Sequence, residues 1–103
     1  MSYSLVLSER ALNDLVESWE WYEDKQEGLG DKFKATIYKS LNTIKLNPEI
    51  GTIRKRSYRD IVVARFPYLI IYRVDKRSKT IFIATIFHTG RNPLKSIADE
   101  NLC

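Results

Sequence analysis

The chain has 103 residues, of which 44% are hydrophobic and 29% charged, and its net charge is +4. A chain of this length forms one hydrophobic core and not two, so we expect a single domain over residues 1–103, and the composition excludes an intrinsically disordered protein. Apolar runs such as "IVVA" and "LIIY" are far shorter than the roughly 20 residues of a membrane-spanning helix.

The first residues and the single cysteine predict the compartment. The start of the chain, "MSYSLVLSER", has no basic flank and no long apolar stretch, so we expect no signal peptide. Cys103 has no partner for an internal disulfide or a zinc site, which favours a reducing cytoplasm. No glycine-rich phosphate loop occurs either, and we expect no cofactor and no metal.

The first 25 residues predict a strand followed by a helix. Residues 3–7 ("YSLVL") alternate weakly and favour a short strand. Ser8 suits the N-cap position of a helix. Apolar residues at helical spacing then predict the inner face of this first helix: Leu12, Leu15, Val16, Trp19 and Tyr22.

A glycine-containing loop separates this helix from a second one. The "GLG" at 28–30 ends the first helix, because glycine adopts the left-handed conformation of a C-cap. The second helix is predicted to begin near Asp31 and to end at Asn47-Pro48, since proline lacks the amide hydrogen. Its predicted inner face comprises Leu29, Phe33, Ile37, Leu41 and Ile44. The two helices therefore form an antiparallel hairpin.

Beyond Gly51 the pattern changes to strands. Residues 58–64, 68–75 and 80–88 are rich in β-branched and aromatic residues, and the short connections 65–67 and 76–79 predict hairpin turns. A short helix over 93–100 is compatible with the last residues. The order β-α-α-β-β-β predicts an α+β fold, with the helical hairpin packed on a mainly antiparallel sheet.

Charge is distributed unevenly along the chain. Residues 1–50 carry six Lys and Arg against nine Asp and Glu, a net charge of −3, whereas residues 51–103 carry eleven against four, a net charge of +7. The basic half is where we expect a polyanion or an acidic protein partner. A chance imbalance on a solvated surface is the alternative.

Much of the positive charge lies in one segment, the basic cluster. Its members lie within twelve positions: Arg54, Lys55, Arg56, Arg59 and Arg65. On a continuous strand Arg59 and Arg65 share a face, and we expect the cluster to form one cationic side of the sheet. Such a side suits phosphates, with Tyr58 and Tyr68 nearby to stack on bases, or equally the carboxylates of an acidic protein. Solubility alone is a third interpretation.

The only histidine, His88, ends the last predicted strand, with Arg91 three residues on. Histidine suits proton transfer because its pKa of about 6.5 lies near the operating pH, and arginine suits the stabilisation of phosphate charge. With Arg65, the two residues are candidates for cleaving RNA. The alternative is that His88 simply packs at the end of the strand.

Trp21 is a candidate contact residue on the first helix. A helical wheel places it about 160° from Trp19, among Asp14, Glu17 and Asp24. An exposed tryptophan in an acidic surrounding suggests a docking surface, since tryptophan is enriched at interface hot spots. Packing under the glycine loop is the alternative.

Taken together, these segments resemble the RelE/ParE superfamily, the toxins of bacterial type II toxin–antitoxin modules. The resemblance covers residues 3–94 and is carried by "LSERALNDL", "WYEDKQEGLGDKF", "LNTIKLNP", "RFPYLIIYRVD" and "IFIATIFHTGRNP". It implies the same sheet and helical hairpin, and a cognate antitoxin that wraps the toxin. A homodimer and a heterotetramer with the antitoxin are both compatible with the resemblance.

The superfamily contains two mechanisms. RelE-like members cut messenger RNA on the ribosome. They commonly carry an arginine where this chain has Leu69 after Tyr68, and basic residues where it has His88–Gly90. They often have a tyrosine near the C-terminus as well, whereas this chain has no tyrosine after Tyr72. The "FPY" turn and the terminal histidine look more like ParE, which binds DNA gyrase. The resemblance thus favours a gyrase inhibitor, with an mRNA endoribonuclease using His88, Arg91 and Arg65 as the alternative and an inactive, antitoxin-binding member as the third.

Overall fold

Residues 3–89, which the computed structural model describes, form two helices packed on one face of a five-stranded sheet. The helices are Glu9–Lys25 (α1) and Leu29–Leu46 (α2), and the strands are Ser4–Leu7 (β1), Thr52–Ile53 (β2), Tyr58–Val62 (β3), Tyr68–Asp75 (β4) and Thr80–His88 (β5). The strand order is β1-β5-β4-β3-β2, antiparallel except for the parallel pair β1 and β5. The predicted α+β class is confirmed. Neither described helix is long and apolar enough to span a membrane.

Strand β1 and helix α1 together cover the edge of β5. The parallel register runs from Ser4 opposite Thr80 to Leu7 opposite Ile83. Ser8 then caps α1, because its Oγ accepts from the amide of Ala11 at 3.0 Å, and it donates to the Ala84 carbonyl at 2.8 Å. Helix α1 thus begins where the pairing of β1 ends.

The inner face of α1 differs from the predicted one. Leu15 and Tyr22 are buried as expected, but Leu12 and Val16 are 49% and 52% exposed. The positions facing the sheet are instead completed by Ala11 and Ser18. Their small side chains let α1 approach closely, and the Ser18 hydroxyl accepts from the Tyr68 hydroxyl at 2.9 Å. Trp19 is half-buried between the helices, where its Nε1 donates to Asp31 Oδ1 at 3.0 Å.

The loop between the helices depends on close backbone approach at Gly30. A Cβ atom there would lie 2.6 Å from the Trp19 carbonyl oxygen. The Glu23 carboxylate accepts from the amides of Gly28 and Gly30, both at 2.9 Å. Gly28 adopts a left-handed φ of 86°, and α2 begins at Leu29, two residues before the predicted start. The predicted inner face of α2 is confirmed, with Leu29 partly buried and the other four residues fully so.

An aromatic cluster attaches the connection between β3 and β4 to both helices. Its rings belong to Tyr22, Phe33, Phe66 and Tyr68, with centroid separations between 4.9 and 6.2 Å. Phe66 follows Arg65, whose left-handed φ of 71° turns the chain inward. The end of the sheet nearest this connection is therefore firmly packed.

The prediction of the sheet was wrong at two points. Strand β3 ends at Val62 and not at 64, so Arg65 lies in the connection and does not share a strand face with Arg59. The two-residue strand β2 was missed, because Thr52 and Ile53 are both exposed and carry no alternating pattern. The helix considered over 93–100 lies outside the described residues.

Candidate functional site

The basic cluster is divided between the two faces of the sheet. Asp60 lies opposite Ile71 and Arg59 opposite Tyr72 on β4, and successive residues of a strand point to opposite faces. Arg54 pairs with Asp60, with Nε 2.7 Å from Oδ2, and this raises the pKa of Arg54. The expectation of one cationic side is therefore wrong for Arg54 and Arg59.

Arg59 fastens the segment after α2 to the sheet. Its Nη1 donates to the carbonyls of Glu49 and Gly51, at 3.1 and 2.8 Å. The neighbouring Tyr72 hydroxyl donates to the Pro48 carbonyl at 2.8 Å and accepts from the Gly51 amide at 2.9 Å. A Cβ atom at Gly51 would lie 2.6 Å from that hydroxyl oxygen, so the approach requires glycine. Arg59 thus has a structural part in the fold.

Lys55 and Arg56 form the basic tip, which lies in the turn that joins β2 to β3. The amide of Arg54 donates to the Tyr58 carbonyl and closes this turn. Arg56 and Ser57 have left-handed φ angles of 57° and 69°, which cost non-glycine residues roughly 1–3 kcal/mol each and are most frequent at functional sites. Within residues 3–89, neither cation of the basic tip forms an ion pair, and both are exposed.

A cleft of about 280 Å³ lies beside the basic tip. Its lining comprises Glu49, Ile53, Ser57, Arg59, Val74 and Lys76. Lys76 Nζ lies 2.7 Å from Glu49 Oε2, and this hydrogen-bonded pairing lowers the pKa of Glu49 and raises that of Lys76. The nearby positive charge of Arg59 lowers the pKa of Glu49 further. The cleft is therefore lined by one carboxylate, two cations, one hydroxyl and two aliphatic side chains.

His88 lies at the opposite end of the sheet. It opposes Tyr68, and the two rings meet edge to face with centroids 5.1 Å apart. Tyr68 is 1% exposed, so His88 stands half-buried on the face that the helices cover. The Thr89 amide donates to the Pro67 carbonyl at 2.7 Å, which brings the connection containing Arg65 to this end. Arg91 lies outside the described residues.

Trp21, on helix α1, is 44% exposed. Its ring meets Tyr22 edge to face at 5.1 Å, and Lys25 Nζ lies 4.8 Å from the ring centroid. Asp14, expected in the acidic surrounding of Trp21, instead accepts from the Thr85 hydroxyl at 2.7 Å and the Ile86 amide at 3.0 Å. A docking role for Trp21 stays a prediction.

The sheet face opposite the helices is mainly apolar near the β3–β4 connection. Val62 is 73% exposed and lies opposite Leu69, which in turn lies opposite Phe87. Farther along, the Arg73 guanidinium lies 4.8 Å from the Phe82 ring centroid. The sequence analysis did not single out Arg73, although strand alternation places it on the same face as Leu69 and Ile71.

Comparison with known proteins gives this arrangement a family. Residues 5–93 match the model of the ParE toxin of the parDE type II toxin–antitoxin system. No curated protein matches. Solved structures with the same fold include the chromosomal ParDE system of P. aeruginosa, with a TM-score of 0.72 and 21% identity over 84% of this chain and 95% of that one.

RelE structures share the fold as well. A mutant of the E. coli toxin RelE in the free state gives a TM-score of 0.70 at 20% identity, with all of both chains covered. The RelBE2 toxin–antitoxin complex of Mycobacterium tuberculosis gives 0.63 at 18%, over 85% of this chain and 99% of that one. Fold and sequence together define a type II toxin of the RelE/ParE superfamily. Within that superfamily, the chain belongs to the ParE toxin family.

Proposed function

We propose that this toxin inhibits growth by binding DNA gyrase, as its resemblance to ParE implies, and not by cutting RNA. The supporting observation is that, of the basic cluster, the described residues bring only Arg65 to the end of the sheet that holds His88. Arg59 opposes Tyr72, four residues and about 13 Å along β4 from the partner of His88, and Arg54 points to the other face. Cleavage needs proton transfer and phosphate stabilisation at one phosphate.

The sheet face opposite the helices supports the same proposal. Leu69 stands on this face, where RelE-like members commonly carry arginine, and leucine can neither donate to a phosphate nor carry charge. Val62 exposes most of its side chain beside it. An apolar surface of this kind is suited to contact with another protein, because burying it is favourable without any chemistry.

A RelE-like mRNA endoribonuclease is the second candidate, and one observation favours it. The connection that contains Arg65 is hydrogen-bonded to Thr89, next to His88. A histidine for proton transfer and a guanidinium for the phosphate therefore lie at one end of the sheet, with Arg91 as the third proposed member.

Induced expression, followed by mapping of DNA breaks and of messenger RNA cleavage, distinguishes the gyrase inhibitor from the endoribonuclease. A gyrase inhibitor should cause growth arrest with DNA double-strand breaks and an SOS response while transcripts stay intact, and the purified toxin should inhibit supercoiling by purified gyrase. His88→Ala should leave this activity unchanged. Messenger RNA cut within translated frames, with cutting abolished by His88→Ala, would overturn the proposal, and so would the absence of growth arrest, which an inactive member predicts.

We further propose a cognate antitoxin that places an acidic segment on the basic tip and the adjacent cleft. Two of the similar structures are toxin–antitoxin assemblies, ParDE and RelBE2. The basic tip offers two exposed cations that form no ion pair within residues 3–89, and a partner carboxylate could exchange with Glu49 on Lys76 in the cleft. Complementary charges of this kind mainly set the association rate and its salt dependence.

Reversal of charge at the basic tip tests this contact. Lys55→Glu with Arg56→Glu should weaken antitoxin binding by about 10- to 100-fold at low salt and flatten its salt dependence, because two attractive charges become repulsive. Arg59→Glu is unsuitable, since Arg59 holds the 49–51 segment. The matched control is Lys39→Glu with Arg77→Glu, an equal charge change at exposed positions outside the tip. Equal affinities for tip and control variants would exclude this contact surface. Titration calorimetry at several salt concentrations measures the affinity of each toxin variant for the antitoxin.

A further inference from the structure

Two basic turns lie side by side at one end of the sheet. Residues 55–57 read "KRS" and residues 76–79 read "KRSK". The first turn precedes β3 and the second follows β4, and these strands are antiparallel neighbours, so both turns are at the same end. Ser57 of one turn and Lys76 of the other line the same cleft. Because one turn joins β2 to β3 and the other joins β4 to β5, they lie two strand spacings apart, about 10 Å across the sheet. Residues 55–57 and 76–79 are called the basic end below.

Most of the positive charge of the basic end is not neutralised. Its cations are all exposed: Lys55, Arg56, Lys76, Arg77 and Lys79. Glu49 pairs with Lys76 at 2.7 Å, and within residues 3–89 none of the other cations of the basic end forms an ion pair. The nearby Asp75 carboxylate accepts from the backbone amides of Arg77 and Ser78, at 3.0 and 3.4 Å, and so holds the shape of the second turn. The basic end therefore presents strong positive charge to solvent.

Both turns of the basic end contain left-handed backbone. The φ angles of Arg56 and Ser57 are 57° and 69°, and that of Lys79 is 55°. Residues other than glycine adopt this conformation rarely, and it is most frequent at functional sites. Two neighbouring turns thus hold basic side chains on backbone that local preference does not favour, which indicates a function at this end.

We propose that the basic end binds the phosphate backbone of duplex DNA. Every residue of its two turns is polar, whereas protein interfaces usually have an apolar centre and few lysines, and protein–DNA interfaces are more polar and more positive. Neither turn contains an aromatic residue for stacking on unpaired bases, which favours a duplex. Two basic turns about 10 Å apart suit the phosphates on both sides of the narrow minor groove of B-DNA, whereas the minor groove of duplex RNA is wide.

Fluorescence anisotropy of a short labelled DNA duplex, titrated with the full-length toxin at several salt concentrations, tests the proposal. The logarithm of the association constant should fall against the logarithm of salt concentration with a slope of about −4, because each contacted phosphate releases counterions. Arg77→Gln with Lys79→Gln should weaken binding by about 10-fold at low salt and reduce the slope by about 2. The matched control, Lys32→Gln with Lys39→Gln, removes the same charge from exposed positions of α2 and should leave affinity and slope nearly unchanged.

Circular dichroism verifies that both double variants are folded. An absence of binding at low salt would overturn the proposal, and so would an equal loss of affinity in the control, which would show that only net charge matters. Tighter binding of single-stranded DNA, or of duplex RNA of the same sequence, would assign the basic end to another nucleic acid and equally refute it. The assay contains neither gyrase nor antitoxin, so a negative result would leave gyrase inhibition and the antitoxin contact unaffected.

Discussion

Replacing Asp14 with alanine should lower the free energy of unfolding by about 3 kcal/mol. The carboxylate accepts from the Thr85 hydroxyl and the Ile86 amide, and both residues are only 1% exposed. The variant leaves these two buried donors without their acceptor, at the point where β1 no longer covers the edge of β5. Urea unfolding measures the loss. Hydrogen exchange of the Ile86 amide should accelerate specifically.

Two further substitutions make this expectation specific. Asp14→Asn keeps an acceptor oxygen and should lose only about 1 kcal/mol, because a neutral acceptor is weaker than a charged one. Asp24→Ala removes a carboxylate from an exposed position of the same helix and should be nearly neutral. If Asp14→Ala and Asp24→Ala unfold at the same urea concentration, the Asp14 carboxylate does not support the edge of β5.

Tyr72→Phe should cost about 2 kcal/mol at neutral pH. The lost hydroxyl joins the buried Gly51 amide to the Pro48 carbonyl, and phenylalanine can satisfy neither group. The segment that follows α2 should therefore loosen. Tyr38→Phe removes a hydroxyl from a 53% exposed residue and serves as the control, with an expected change near zero.

The pH dependence of this difference provides a separate measurement. Burial raises the pKa of Tyr72 above the ordinary value near 10. Above pH 10 the unfolded chain releases that proton and the folded chain retains it, so the contribution of Tyr72 to stability falls as pH rises. The stability gap between wild type and Tyr72→Phe should consequently narrow above pH 10. A gap that stays constant or widens contradicts a hydroxyl kept protonated by burial.

The helices show what sequence periodicity can and cannot predict. Helix α2 carries one apolar stripe, and each of its predicted inner positions is at least partly buried. Helix α1 carries two overlapping stripes of residues at helical spacing. The prediction followed the stripe with the larger apolar side chains, which includes Leu12 and Val16. The sheet selects the other, because Ala11 and Ser18 permit close approach and Ser18 accepts from Tyr68, fifty residues away. Nothing local to α1 encodes that partner.

The candidate site was predictable in part for similar reasons. Arg54 and Arg59 were assigned to one cluster because they are close in sequence, yet strand alternation places them on opposite faces of the sheet. Because β3 ends at Val62, Arg65 does not lie on that strand at all. His88 at the end of a strand was predictable from the apolar run before it. The role of Asp14 was not, because its partners on β5 are 71 and 72 residues away.

The parallel pairing of β1 with β5 has a consequence during translation. Ser4 lies beside Thr80. Strand β1, which is translated first, can therefore pair only after β5 has been translated, and β5 is the last of the described strands. Such non-local pairing delays folding, since the intervening loop must close before any contact compensates for it. A nascent chain that stalls before residue 80 therefore lacks β5, which lies between β1 and β4, and cannot complete its sheet. Premature termination should accordingly yield fragments that are degraded and harmless to the cell.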